Sequence, residues 1–119
     1  MKTMPNVTPN HCLITGGPRG IGRATALLAA RSGYDISIVG ITKASVHAKS
    51  LADEIVALGR RAVILQGDMS NEDDISLVFD QAVKSLGPLT GVVNAAGVGY
   101  NSRVSEFDGS ELTRLMAVN

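Results

Sequence analysis

The sequence of 119 residues predicts an α/β fold in which helices flank a parallel sheet. Short apolar runs alternate with longer segments of helical periodicity from residue 11 onward. The apolar runs are nearly continuous, as is typical of strands covered on both faces, and right-handed crossovers join such strands in parallel. A glycine-rich turn at 15–22 separates the first strand from the first helix.

The elements follow in regular order, with strands predicted over 11–15, 35–39, 62–65 and 89–93. Helices are predicted over 20–31, 45–58, about 70–86, and from about 108 onward. Ser70 with Asp73 resembles a capping box at the start of the third helix. The pattern is that of a Rossmann-like, doubly wound sheet, incomplete because only its first four strands and their helices are present.

Composition narrows the functional classes. The formal net charge is zero, which gives no reason to expect nucleic acid or an anionic membrane surface as a partner. No apolar run is long enough to span a bilayer, and we expect a cytoplasmic protein. The single cysteine, Cys12, lies in a strand pattern and is predicted to be a small buried residue.

The turn at 15–22 is the strongest functional signal. A glycine-rich turn between a buried strand and a helix lets the backbone approach a phosphate, and the first N–H groups of the helix point at the anion. The spacing here is Gly16-x-x-x-Gly20-x-Gly22, which differs from the common G-x-G-x-x-G fingerprint. We expect Gly16 to permit the sharp turn, and Gly20 and Gly22 to permit close approach of helix and phosphates.

Three further segments make the pattern specific: Asp68 after the third strand, residues 94–97 (Asn-Ala-Ala-Gly) after the fourth, and Asn119 after the last helix. With the glycine turn, they resemble the short-chain dehydrogenases/reductases, in their simple, non-extended branch. The resemblance implies hydride transfer between a nicotinamide cofactor and a small-molecule carbonyl or alcohol substrate, usually in a homodimer or homotetramer. Residues 1–10 are then a flexible leader, and residues 11–119 the N-terminal part of a dinucleotide-binding Rossmann domain.

The resemblance also assigns cofactor contacts. It implies that Asp68 accepts a hydrogen bond from the adenine amino group beside the Met69 backbone. A cap for the next helix is the less favoured alternative for Asp68, and both roles could hold. It places residues 94–97 beneath the ribose. Ile21 either packs beneath the cofactor or is a plain core residue. The predicted cofactor-binding residues are Gly16, Gly17, Pro18, Arg19, Gly20, Ile21, Gly22, Ile41, Thr42, Asp68, Met69, Asn94, Ala95, Ala96 and Gly97.

The cofactor is predicted to be NADP(H), with NAD as the alternative. NAD-preferring domains place an acidic residue at the end of the second strand, and residues 39–43 (Val-Gly-Ile-Thr-Lys) contain none. A basic residue at the position of Arg19 marks NADP preference in the family, and a guanidinium pairs well with a 2′-phosphate. Thr42 and Lys43 could assist. Arg19 could also be a solvated residue at a helix start, but a cation there opposes the helix dipole unless an anion binds.

The proton donor of this family is a tyrosine followed four residues later by lysine, and that pattern is absent. Tyr34 is followed by Ile38, and Tyr100 by Val104. These residues alone are therefore predicted to be inactive. The fourth strand is apolar and would lie unpaired at a sheet edge, which is an aggregation hazard, so we expect a protein of roughly twice this length.

Asn119 is the candidate from the catalytic set. The resemblance gives it the task of holding a water molecule that links the active-site lysine to solvent, while a plain helix C-cap is the alternative. His11 and His47 show no partner pattern for metal or nucleophilic chemistry, and Arg60 and Arg61 are expected to be solvated.

Two other functions remain open at this stage. The first is a non-catalytic nucleotide-binding or regulatory module, which a downstream serine and Tyr-x-x-x-Lys would exclude. The second, another Rossmann-like enzyme such as a methyltransferase, fits less well. Such enzymes usually place acidic residues before the glycine turn and at the end of the second strand.

Overall fold

A computed structural model describes residues 10–42, 45–97, 104–106 and 108–119. Its elements confirm the predicted order, with bounds that differ from the predicted ones by no more than a few residues. They are β1 (Asn10–Thr15), α1 (Gly20–Arg31), β2 (Tyr34–Gly40), α2 (Val46–Ala57), β3 (Ala62–Gln66), α3 (Glu72–Leu86), β4 (Gly91–Asn94), a 3-10 turn (Val104–Glu106) and α4 (Gly109–Val118). The predicted leader lies outside the described residues, except for Asn10, which begins β1.

The sheet has the strand order β3-β2-β1-β4, and every pairing is parallel. In this register Thr15 lies opposite Val39 of β2 and Asn94 of β4. The carboxyl ends of the three strands therefore meet at one edge of the sheet. This is the Rossmann-like arrangement that the sequence predicts.

Two apolar cores cover the two faces of the sheet. Because side chains alternate along a strand, Cys12 and Ile14 of β1 face α1 and α2, whereas Leu13 faces α3. Cys12 is 5% exposed, as predicted for a small buried residue, and burial raises the pKa of its thiol. The first core contains Cys12, Ile14, Ala26, Ala30, Ile36, Ile38, Leu51 and Ile55, and the second contains Leu13, Val39, Leu65, Val78 and Ala82.

The start of α3 differs from the prediction. Asn71 is the N-cap, and its side chain accepts a hydrogen bond from the Asp74 N–H at 3.0 Å. Ser70 instead donates its N–H and its hydroxyl to Asp68 Oδ1, at 2.9 and 2.6 Å. The capping box of Ser70 with Asp73 is therefore wrong, and so is Asp68 as the cap. The turn closed by Asp68 and Ser70 displaces the helix start by one residue.

A buried ion cluster joins the amino ends of β2 and β3. Asp35 is 2% exposed and accepts hydrogen bonds from the Arg61 N–H at 2.9 Å and from the Arg61 guanidinium at 2.9 and 3.0 Å. The Arg60 guanidinium lies 3.1 Å from Asp35 Oδ1, the oxygen that also accepts from the Arg61 N–H. Burial alone would raise the pKa of Asp35, but these hydrogen bonds and charges outweigh it and hold the pKa below its ordinary value. The expectation that both arginines are merely solvated is wrong, since the segment before β3 crosses the start of β2.

His11 forms a second polar contact at this end of the sheet. Its ring is fully buried, with Nδ1 at 2.9 Å from the Gly87 carbonyl and Nε2 at 2.7 Å from the Ser37 hydroxyl. A carbonyl only accepts, so Nδ1 carries a proton, and in the neutral ring Nε2 accepts from Ser37. His11 therefore fixes the end of α3 on the sheet.

Two glycines of the turn, Gly16 and Gly22, are packed without space for a side chain. A Cβ atom added to Gly22 would lie 2.3 Å from the Gly16 carbonyl oxygen. Gly16 has a φ of +67°, and a Cβ atom there would lie 2.7 Å from the backbone of Ala96. The turn, the first turn of α1 and the segment after β4 are thus held in direct backbone contact.

We expect Asp35→Asn to lower the free energy of unfolding of the natural full-length protein by about 2–3 kcal/mol at pH 7, because it leaves two arginines without their buried counter-ion. Folding lowers the pKa of Asp35. The stabilisation by Asp35 is therefore complete above its pKa in the unfolded chain, about 3.9, and is lost as the pH falls through its pKa in the folded protein. Denaturant titrations should show the two proteins converging below about pH 4. A constant difference down to pH 2 would contradict this account.

We expect Gly22→Ala to lower the free energy of unfolding by about 1–3 kcal/mol, because the methyl group overlaps the Gly16 carbonyl. Gly109→Ala is the matched control: it also lies at the start of a helix, but its Cβ atom would meet nothing within 4 Å. Thermal unfolding of both variants tests this, and equal effects would contradict it.

Candidate nucleotide-binding site

A cleft of about 950 Å³ lies at the carboxyl edge of the sheet. The β1–α1 turn, the end of β2 with the start of α2, the loop after β3, the segment after β4, and α4 form its walls. An open α/β sheet binds its ligand at this edge, beyond the carboxyl ends of the strands.

The cleft brings together residues from four loops that are distant in sequence. The predicted cofactor-binding residues that line it are Gly16, Pro18, Arg19, Gly20, Ile21, Ile41, Thr42, Asp68, Met69, Ala95, Ala96 and Gly97.

Four predicted site residues do not line this cleft. Gly17 and Gly22 are buried within the turn, where they permit its packing. Asn94 and Asn119 line a neighbouring cavity of about 490 Å³ between α3, α4 and β4. Asn119 is the C-cap of α4, and its Oδ1 would lie 3.3 Å from a Cβ atom on Gly97, so it borders the floor of the cleft from the other side.

The position of Ile21 excludes one of its two predicted roles. It is 79% exposed, so the interpretation as a plain core residue is wrong. The first turn of α1 extends beyond the sheet edge, which leaves Ile21 at the cleft rather than over the strands. Ile41, 70% exposed, lies in the same cleft after β2.

The wall formed by α1 is positively charged. Arg19 is the N-cap residue of α1 and makes no side-chain capping bond, and no acidic residue lies in the first turns of α1 or α2. No hydrogen bond or ion pair joins its guanidinium to the part of the chain that the structure describes. By contrast, α3 has three acidic residues in its first turn. An unpaired cation beside a helix N-terminus suits an anionic ligand.

Asp68 provides the opposite charge across the cleft. Both hydrogen bonds from Ser70 go to its Oδ1, and they lower the pKa of the carboxyl group, the hydroxyl bond more than the backbone bond. Its own N–H donates to Asp74 Oδ2 at 2.8 Å. The two bonds from Ser70 therefore favour the ionised form of the carboxylate, which accepts hydrogen bonds.

Several residues of the cleft were not predicted from the sequence, among them Ser45, His47, Arg114 and Val118. The topology could have indicated them: α2 begins a few residues after β2 ends, so its first turn must lie at the same edge. Tyr100 and Lys43, considered as cleft residues, lie outside the described part of the chain.

Arg23 of α1 connects the two helices beside the cleft. Its guanidinium donates to the His47 carbonyl at 3.2 Å and to the Ser50 hydroxyl at 3.4 Å, and it pairs with Glu54. This arginine therefore fixes the first turns of α2 relative to α1.

The described ranges show neither a candidate metal centre nor a membrane-spanning helix. These residues contain no group of three or more His, Cys, Asp or Glu side chains that could hold a metal ion. None of the helices over the same ranges has both the length and the apolar character needed to cross a membrane.

Comparison with known proteins agrees with this geometry. The sequence profile described as short chain dehydrogenase matches residues 10–119. The chain is 34% identical over 109 residues to the oxidoreductase YgfF of Escherichia coli, covering 90% of this chain and 43% of that protein. It is 40% identical over 91 residues to mouse 3-oxoacyl-[acyl-carrier-protein] reductase, covering 76% of this chain and 36% of the relative.

A solved structure shows the same fold. A mutant of a Serratia marcescens short-chain dehydrogenase/reductase superposes with a TM-score of 0.85 at 27% identity, covering 92% of this chain and 44% of that one. The chain thus spans less than half the length of these relatives. A family profile that extends from β1 to Asn119, together with the glycine turn and the cleft it borders, establishes that the chain belongs to the short-chain dehydrogenase/reductase family.

Proposed function

We propose that the protein is an NADP(H)-dependent oxidoreductase that transfers a hydride between the cofactor and a carbonyl or alcohol substrate. The observation that carries the cofactor preference is the unpaired Arg19 at the cleft, combined with the absence of an acidic residue from Val39 to Thr42. A carboxylate at that strand end would repel a 2′-phosphate, whereas a guanidinium pairs with it.

The cleft suits a dinucleotide. Gly20 has a φ of +59°, and a Cβ atom added to it would meet nothing within 4 Å, so its outer side is open to a ligand. We assign the pyrophosphate to the glycine turn, the adenine to Asp68 and Met69, and the ribose to the segment at 95–97. When bound, the nicotinamide ring supplies or accepts the hydride.

The proton donor must come from residues other than these 119, because they contain no Tyr-x-x-x-Lys. We therefore propose that residues 11–119 are the N-terminal part of the dinucleotide-binding domain and are inactive alone. Membership of the family favours an enzyme over a non-catalytic module. We also propose that the protein is a homo-oligomer and that it is located in the cytoplasm.

We expect Arg19→Ala to raise the Kd for NADPH about 10- to 100-fold in the full-length protein, the range of a charge-assisted hydrogen bond, and to leave the Kd for NADH unchanged. Arg31→Ala is the matched control, since Arg31 is an exposed arginine in the last turn of the same helix. Direct titration of both cofactors measures the effect. Tighter binding of NADH than of NADPH by the unmutated protein would contradict the proposed preference.

We further propose that Asn119 positions a water molecule of the proton relay. Asn119→Ala should then lower kcat about 10- to 100-fold and shift the pH profile of kcat, while the Kd for NADPH changes less than about threefold. Thr113→Ala, on an exposed position of α4, should alter neither. An Asn119 variant that loses NADPH binding in proportion to kcat would indicate a structural role instead.

A further inference from the structure

We infer that His47 is a second determinant of specificity for the 2′-phosphate, so that discrimination between NADP and NAD increases as the pH falls. The inference rests on the proposed function and extends it. His47 is an exposed residue in the first turn of α2, and it lines the same cleft as Arg19.

The position of His47 is fixed by contacts on both sides. Ser45, the N-cap of α2, accepts a hydrogen bond from the Ala48 N–H at 3.3 Å, which sets the start of the helix. Arg23 donates to the His47 carbonyl at 3.2 Å, so the backbone that carries the imidazole is joined to α1. The two cation-bearing segments of the cleft, at Arg19 and His47, therefore belong to one connected unit.

The surrounding charges favour an anion between these segments. The guanidinium of Arg23 is neutralised by Glu54, and Arg114 across the cleft is paired with Glu111 at 2.8 Å. Among the described residues that line the cleft, Asp68 is the one that is acidic, and it belongs to the loop after β3. Lys49, on the same helix as His47, does not line the cleft.

Imidazole is the side chain whose charge ordinarily changes between about pH 5 and 8. A protonated His47 would attract the 2′-phosphate, which NAD lacks, and a neutral His47 would not. The phosphate itself gains a proton near pH 6, which weakens binding as the pH falls. A comparison of variants at each pH separates the effect of His47 from the protonation of the phosphate. His11, the other histidine of these residues, is buried at the opposite end of the sheet and does not line the cleft.

The test compares the natural full-length protein with His47→Gln by calorimetric titration of NADP⁺ and NAD⁺ at pH 6.5 and 8.5. For each protein, the ratio of the Kd for NAD⁺ to that for NADP⁺ is taken at both values of pH. From pH 8.5 to pH 6.5, this ratio should change by a factor that is about two- to fivefold greater in the unmutated protein than in His47→Gln. That factor is the range of an exposed ion pair. Lys49→Gln, which removes a cation outside the cleft, should behave like the unmutated protein.

Three results would overturn the inference. An identical pH response of the unmutated protein and His47→Gln would show that the imidazole does not act on the phosphate. Equal weakening of NADP⁺ and NAD⁺ in His47→Gln would show that His47 only supports the helix. An altered pH response in Lys49→Gln equal to that in His47→Gln would show a general effect of charge. A preference for NAD⁺ at every pH would instead refute the proposed function, which separates the two failures.

Discussion

The backbone contact between the glycine turn and the first turn of α1 is the constraint on which the cleft depends. A Cβ atom on Gly22 would lie 2.3 Å from the Gly16 carbonyl oxygen, and a Cβ atom on Gly16 would lie 2.7 Å from the Ala96 backbone. These two contacts bring the start of α1 and the segment after β4 together at one strand end. The free N–H groups of α1 consequently face the same space as the other loops of the carboxyl edge.

The two ends of the sheet differ in how their charges are satisfied. At the amino end, Arg60 and Arg61 both pair with the Asp35 carboxylate, and the buried ring of His11 has a partner for each nitrogen. At the carboxyl end, Arg19 has no such partner among the described residues. Ion pairs and hydrogen bonds within the chain stabilise the fold, whereas a cation without a counter-ion beside a helix N-terminus suits an anionic ligand. This contrast is the reason why we propose Arg19, rather than Arg60 or Arg61, as a residue that contacts the cofactor.

The order of the elements and the glycine cradle could be predicted because both depend on local pattern: apolar periodicity defines strands and helices, and the turn is contiguous in sequence. The errors occurred where a residue's partner is distant or where two residues compete for one role. Arg60 and Arg61 find Asp35 about 25 residues earlier, a pairing that no local pattern shows. Asn71 rather than Ser70 caps α3, because Ser70 is already bonded to Asp68. His47 and Arg114 reach the cleft only through the strand order and the path of α4.

The residues that we propose for cofactor choice and for proton transfer lie in different parts of the structure. Arg19 and His47, the two residues we propose for the 2′-phosphate, come from the β1–α1 turn and from the first turn of α2, and both lie within the first 50 residues. We therefore propose that this part of the chain determines the choice of cofactor. Asn119 lies on the other side of the floor, against Gly97, where the cleft approaches the second cavity. A substitution at Arg19 or His47 should thus act on cofactor choice and one at Asn119 on proton transfer, because the segment at 95–97 separates the two regions.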